Sequence, residues 1–132
     1  MPPESLPSDV AAFIDNHPLS VDEVEALTAM TDARDRWWDA KLMAGEIGVS
    51  VSAARGALDR LASLNLLDIR VTDEVRYRFQ PGTSELGQTI PRLVAAYRSN
   101  PKAVIRAAIG HARRSAKDFA DAFRFRKDDR DR

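Results

Sequence analysis

Apolar residues recur along this chain in two rhythms, and the change from one to the other marks its most informative stretch, residues 37–79. From Asp39 to Gly48 the pattern predicts a short helix, with Asp39 as N-cap and Gly48 as the left-handed residue past its C-terminus. Ser50 caps a second helix two residues later, so the two helices must cross steeply. On that second helix Ala54, Ala57, Leu58, Leu61 and Leu64 recur at spacings of three and four and make one buried stripe. Ser52, Arg55, Gly56, Asp59, Arg60 and Ser63 face outward. From Leu67 the rhythm drops to two. Leu67, Ile69 and Val71 alternate with polar residues, and so do Val75, Tyr77 and Phe79, which predicts two strands.

The register of that hairpin follows from matching apolar to apolar across the pair. A two-residue Asp73-Glu74 loop would set Val71 against Arg76 and lacks the glycine such a turn favours. A connection through Thr72-Asp73-Glu74 pairs Val71 with Val75, Ile69 with Tyr77 and Leu67 with Phe79. The other face then carries Arg70, Arg76 and Arg78, with Asp68 opposite Arg78. This second register is the preferred one.

The flanking segments read as helices. Ser8 or Asp9 caps a short one over Val10 to Asn16, with Val10, Phe13 and Ile14 apolar, and His17-Pro18 stops it. Ser20 to Glu23 is a capping box for a helix with Val24, Leu27 and Met30 inward, ending before Asp32. Of Trp37 and Trp38, one serves as a short third strand or core anchor at the base of the hairpin, and the other covers an interface. After Pro81-Gly82, Leu86, Ile90, Leu93, Val94 and Tyr97 mark a helix face, with Pro91 imposing either a kink or a start nearer Gln88. Asn100 and Pro101 open a last, long helix on which Ile105, Ile109, Ala112, Ala116, Phe119 and Phe123 step by four and three, the repeat of a helix-pairing seam.

Composition narrows the function more than the fold. The 132 residues contain no cysteine, which excludes disulfides and thiolate metal sites and agrees with a cytoplasmic protein. The polar, proline-rich start is unlike a secretory signal, and no apolar run approaches the ~18 residues a membrane span requires. Lys+Arg and Asp+Glu balance at 20 each, but unevenly: residues 1–97 hold 9 against 15 and residues 98–132 hold 11 against 5. The excess positive charge therefore lies outside the helix–turn–helix.

Helix, turn, helix and a hairpin with a basic outer face resemble the winged helix-turn-helix domain of bacterial transcriptional regulators. The residues that carry the resemblance are Ala44 to Ser50, the Ala54 to Leu61 stripe, and Leu64-Asn65-Leu66-Leu67 leading into the wing. In the family a glycine usually follows the first leucine of that last stretch after two variable residues. Here Leu66 takes that slot and Asn65 is the left-handed residue. The ending FADAFRFRKDD, after a YRSNP segment, is similar to tails of uncharacterised bacterial winged-helix proteins and implies no function. The expected class is α+β, mostly α: a winged helix-turn-helix core with a short β-hairpin wing and additional N- and C-terminal helices. The expected organisation is a disordered or extended lead-in over 1–7, the winged helix over 8–80, a C-terminal helical extension over 81–126 as a candidate dimerisation element, and a frayed tail over 127–132.

The resemblance implies double-stranded DNA as partner. Ser50 to Ser63 then lies in the major groove with Arg55 and Ser52 at base edges and Arg60 assisting, while Arg70, Arg76 and Arg78 meet phosphates. Each of these also reads as a solvated polar position, and winged helices serve as protein-interaction adaptors too. The Ile105 to Phe123 seam either pairs two copies as a homodimer or packs back on its own domain. His17 and His111 lie far apart, and no nucleophile elbow, phosphate loop or metal-ligand spacing occurs, so neither enzyme activity, a metal nor a cofactor is expected.

Overall fold

The computed structural model describes residues 6–108. Five helices and one hairpin follow in the order α1 Ser8–Asn16, α2 Val21–Asp32, α3 Ala40–Ile47, α4 Val51–Ser63, β1 Leu67–Val71, β2 Val75–Phe79 and α5 Ser84–Ser99, with 101–108 also helical. The arrangement is mostly α, a helix–turn–helix carrying a β-hairpin wing, with α1 and α5 packed on one another and α5 also on α2.

The caps explain where the helices begin. Asp39 accepts from the Leu42 amide at 2.7 Å, and Ser50 from the Ala53 amide at 3.0 Å. Gly48, at φ +74°, ends α3 in the left-handed region where a side chain would strain the backbone. The Ser20–Glu23 capping box is complete in both directions at 3.1 Å. Two ends differ from expectation. Neither Ser8 nor Asp9 caps α1: Pro7 holds the N-cap position, and the Asp9 carboxylate is engaged across the fold by Thr89 and Arg92 of α5. α2 runs on through Asp32, which pairs with Arg98.

Stripes set the packing. Ala54, Ala57, Leu58 and Leu61 of α4 are buried against α2 and α3, while Leu64 is half-buried at the helix end. Burial of Leu58 or Leu61 contributes about 1.5–3 kcal/mol each. α5 begins at Ser84, capped by Thr83, and carries Pro91 in its interior, so the later start near Gln88 does not occur. Proline there removes one ladder hydrogen bond. Burial of Thr89, Ile90, Leu93 and Val94 keeps the helix in place regardless. Val10, Leu27, Leu58, Ile90 and Val104 belong to one core cluster, so the described part of the C-terminal extension shares the core of the helix–turn–helix.

Leu67↔Phe79, Ile69↔Tyr77 and Val71↔Val75 pair in the register expected from apolar matching, with Asp68↔Arg78 and Arg70↔Arg76 on the other face. At the foot of the wing Asn65 adopts φ +65°, and Gly82 passes directly against it, its amide bonded to the Asn65 carbonyl at 2.9 Å. A Cβ at Gly82 would lie 2.1 Å from the end of the Asn65 side chain, so a larger residue there requires that side chain to move. Trp38 is the core anchor: it is buried and exchanges both backbone hydrogen bonds with Tyr77 at 2.7 Å, a one-rung third strand.

Asn100 caps the helical stretch 101–108 through the Ala103 amide. Its buried residues are Ala103, Val104 and Ala108, and Ile105 is half-buried. Among the described residues the face turned to the core is thus one position off the expected seam. Ile109, Ala112, Ala116, Phe119 and Phe123 lie outside the described residues. Among the described residues no helix is long and apolar enough to cross a membrane.

Candidate nucleic-acid interface

Two neighbouring surfaces form the candidate interface: the outward face of α4 and the wing beside it. The N-terminal half of α4 presents Val51, Ser52, Arg55 and Gly56 to solvent, because the stripe at Ala54, Ala57 and Leu58 fixes the helix's rotation. Arg55 makes no side-chain hydrogen bond or ion pair among the described residues. A Cβ on Gly56 would meet nothing within 4 Å, so the core does not require glycine there. Ser50 is exposed, with its hydroxyl accepting the cap hydrogen bond.

The second half of α4 is tied into the protein. Arg60 donates from Nη2 to the Pro18 carbonyl at 3.2 Å, anchoring the α1–α2 connection. Asp59 accepts from the Tyr77 hydroxyl, a bond that joins α4 to the wing. Burial raises the Tyr77 hydroxyl to about 12, helped by that hydrogen bond and by the Asp59 charge, while the nearby Arg55 charge pulls the other way. Arg60 and Asp59 therefore set the position of the helix.

The wing's basic face is also partly engaged. Arg78 bonds Asp68 at 3.5 Å and Gln80 at 3.1 Å, and its guanidinium lies 4.6 Å from the centre of a Trp37 ring. Arg70 lies 4.7 Å from a Trp37 ring centre. Arg76 is exposed, with no side-chain hydrogen bond or ion pair among the described residues.

The sequence left open which of Trp37 and Trp38 anchors the core and which covers an interface, and it identified none of these partners, although a signal was present. If Trp38 joins the sheet beside Tyr77, alternation turns Trp37 to the face of Arg76 and Arg78. No comparable pattern foretold the Tyr77–Asp59 and Arg60–Pro18 contacts, which arise from three-dimensional packing.

Between the start of α4 and the wing tip runs a shallow groove lined by Asp39, Ala40, Lys41, Val51, Arg55, Asp73, Glu74 and Val75. Three carboxylates face two cations there, so the groove does not itself attract phosphate. The apolar side of the wing is uncovered at its end, where Val71 is 71% exposed and Ile69 46%.

Of the seven sequence-predicted interface residues, Ser52, Arg55 and Arg76 stand uncommitted. Ser50 caps, Arg60 anchors, and Arg70 and Arg78 lie against Trp37. Among the described residues no group of three or more His, Asp or Glu side chains is placed to hold a metal ion. His17 packs against the Phe13 ring at 5.1 Å. His111 lies outside the described residues.

No family model matches the chain, and no curated protein matches it. Among solved structures it is similar to one described as the mechanism for regulation of DNA binding of Bordetella bronchiseptica BpsR by 6-hydroxynicotinic acid. The likeness covers 83% of this chain and 85% of that one at 19% identity, with a TM-score of 0.46. A superposition so loose transfers no residue role from that protein to this one.

Proposed function

We propose that the chain is a small cytoplasmic DNA-binding regulator of the winged-helix kind, without enzyme activity, that reads duplex DNA through the first two turns of α4. The observation that carries this reading is the bare half of α4. Val51, Ser52, Arg55 and Gly56 lie exposed on a helix whose far half is fixed by Arg60 and Asp59, and Arg55 makes no side-chain hydrogen bond or ion pair among the described residues. A rigid helix with an unengaged arginine near its N-terminus suits bidentate contact with guanine in the major groove. On this reading Ser52 assists at the neighbouring base and Arg76 on the wing meets a phosphate. Pairing of two copies through the Ile105 to Phe123 seam would present two such helices to a two-fold site.

The test is recovery of genomic fragments bound by the purified protein, with its solution mass measured in parallel. Enrichment of a shared sequence, weakened by Arg55→Ala, supports the proposal. No retained fragment at low salt rejects it.

A second reading has its own observation. The exposed Ile69, Val71 and Val75 and the carboxylates of Asp39, Asp73 and Glu74 suit a basic, partly apolar protein surface better than DNA. On that reading the chain is an adaptor, and Val71→Ser weakens partner binding while Arg55→Ala does not.

A further inference from the structure

The outer face of the wing carries more positive charge than its own strands balance. Arg70 and Arg76 stand directly opposite each other across β1 and β2, a like-charge pair of the kind that weakens strand pairing. Within the paired strands Asp68 is the one carboxylate on that face, and Arg78 occupies it. Such an arrangement is relieved by an anion from outside.

Two of the three guanidiniums are held by one side chain. Arg70 and Arg78 lie 4.7 and 4.6 Å from Trp37 ring centres. Trp37 is fixed in turn by its neighbour, since the double backbone bond of Trp38 to Tyr77 locks this segment onto β2. A guanidinium against an indole face gains attraction from the ring while its in-plane N–H donors stay available for an acceptor; Arg78 gives Nη2 to Asp68 and Gln80. Arg70 has no side-chain hydrogen bond or ion pair among the described residues, so its donors are uncommitted. Free arginine side chains lose much freedom when they meet a ligand, and the ring limits that freedom beforehand.

We infer that Trp37 is a positioning residue that gathers Arg70 and Arg78 into a clamp for the phosphate oxygens of a duplex DNA backbone. This rests on the DNA-binding reading above and adds a sequence-independent grip, set on the wing face away from the carboxylates of the groove. The clamp supplies affinity, while base choice stays with α4.

The experiment is a titration of the full chain against a random-sequence duplex over a series of salt concentrations, with circular dichroism melts of every variant. The proteins are wild type, Trp37→Ala, Trp37→Phe and the double variant Arg70→Gln/Arg78→Gln. Each phosphate contact contributes about 0.9 to the slope of log affinity against log salt. Trp37→Ala and the double variant should each flatten that slope by about 1–2, and Trp37→Phe, which keeps an aromatic face, should restore most of it. The double variant leaves the indole and its backbone bridge intact, so it tests the clamp even where Trp37→Ala fails to fold. A wild-type slope in folded Trp37→Ala, or in the double variant, overturns the clamp and leaves the DNA reading standing. A wild-type protein that binds no duplex at low salt overturns both.

Discussion

The foot of the wing and its tip are made from the same alternating pattern, yet the protein treats them oppositely. At the foot, Leu67, Tyr77 and Phe79 are buried, Trp38 adds a third-strand rung, and Tyr77 bonds Asp59 of α4. Beyond the Ile69–Tyr77 rung the apolar face opens to solvent, with Val71 71% exposed and Ile69 and Val75 partly so, and Asp73 and Glu74 close the turn. Strand pairing alone holds the tip, whereas packing holds the foot. The same division recurs on α4, whose C-terminal half is anchored through Asp59 and Arg60 and whose N-terminal half is bare. Anchored halves carry stability, and bare halves are what remains for a partner.

The largest effect expected from this division is on folding. Phe79→Ala at the foot should cost about 3–5 kcal/mol through the cavity it leaves, while Val71→Ala at the tip should stay within about 0.5 kcal/mol. Urea unfolding measures both, and equal losses would erase the distinction.

Tyr77→Phe comes next, with a loss of about 1.5 kcal/mol from the hydrogen bond to a carboxylate. The same contact makes stability depend on alkaline pH. A hydroxyl raised from 10 to about 12 in the folded state stabilises fully below pH 10, and that contribution is lost as pH rises towards 12. Tyr97, bonded to Glu25 and also raised to about 12, acts in the same window. In a Tyr97→Phe background, Tyr77→Phe should therefore flatten the remaining fall in melting temperature between pH 10 and 12. An unchanged pH profile would show that the wing does not lean on Asp59.

The smallest effect sharpens the functional side. Asp73→Asn with Glu74→Gln removes two charges from the groove and should strengthen binding to duplex DNA by a few fold, on the order of 1 kcal/mol or less. Weaker binding would mean that these carboxylates face a basic partner instead.

Much of this division was legible before any coordinates. The α4 stripe, both caps of the helix–turn–helix, the left-handed Asn65 and the three-residue wing connection follow from spacing and side-chain chemistry at a few positions. The start of α1 was not: it begins at Ser8, behind Pro7, and Asp9 lies inside it with Oδ1 on the Val10 amide and Oδ2 taken by Arg92, a distant contact that no local pattern reveals. The continuation of α5 through Pro91 was left open for the same reason: tertiary burial of Ile90, Leu93 and Val94 outweighs a broken local rule. For the candidate interface, sequence identified which residues point outward but not which are engaged. The register alone pointed to Asp68 as the partner of Arg78, whereas Arg60 and Arg70 look alike in sequence to Arg55 and Arg76 and only their three-dimensional neighbours separate them.

The most direct measurement compares wild type and Arg55→Ala on the highest-ranking selected genomic fragment and on that fragment with one guanine at a time replaced. The account predicts a loss of about 1–3 kcal/mol for Arg55→Ala, and one guanine whose replacement weakens wild type but has no further effect on the variant. Equal binding by the two proteins on every fragment would contradict the claim that the bare half of α4 reads DNA.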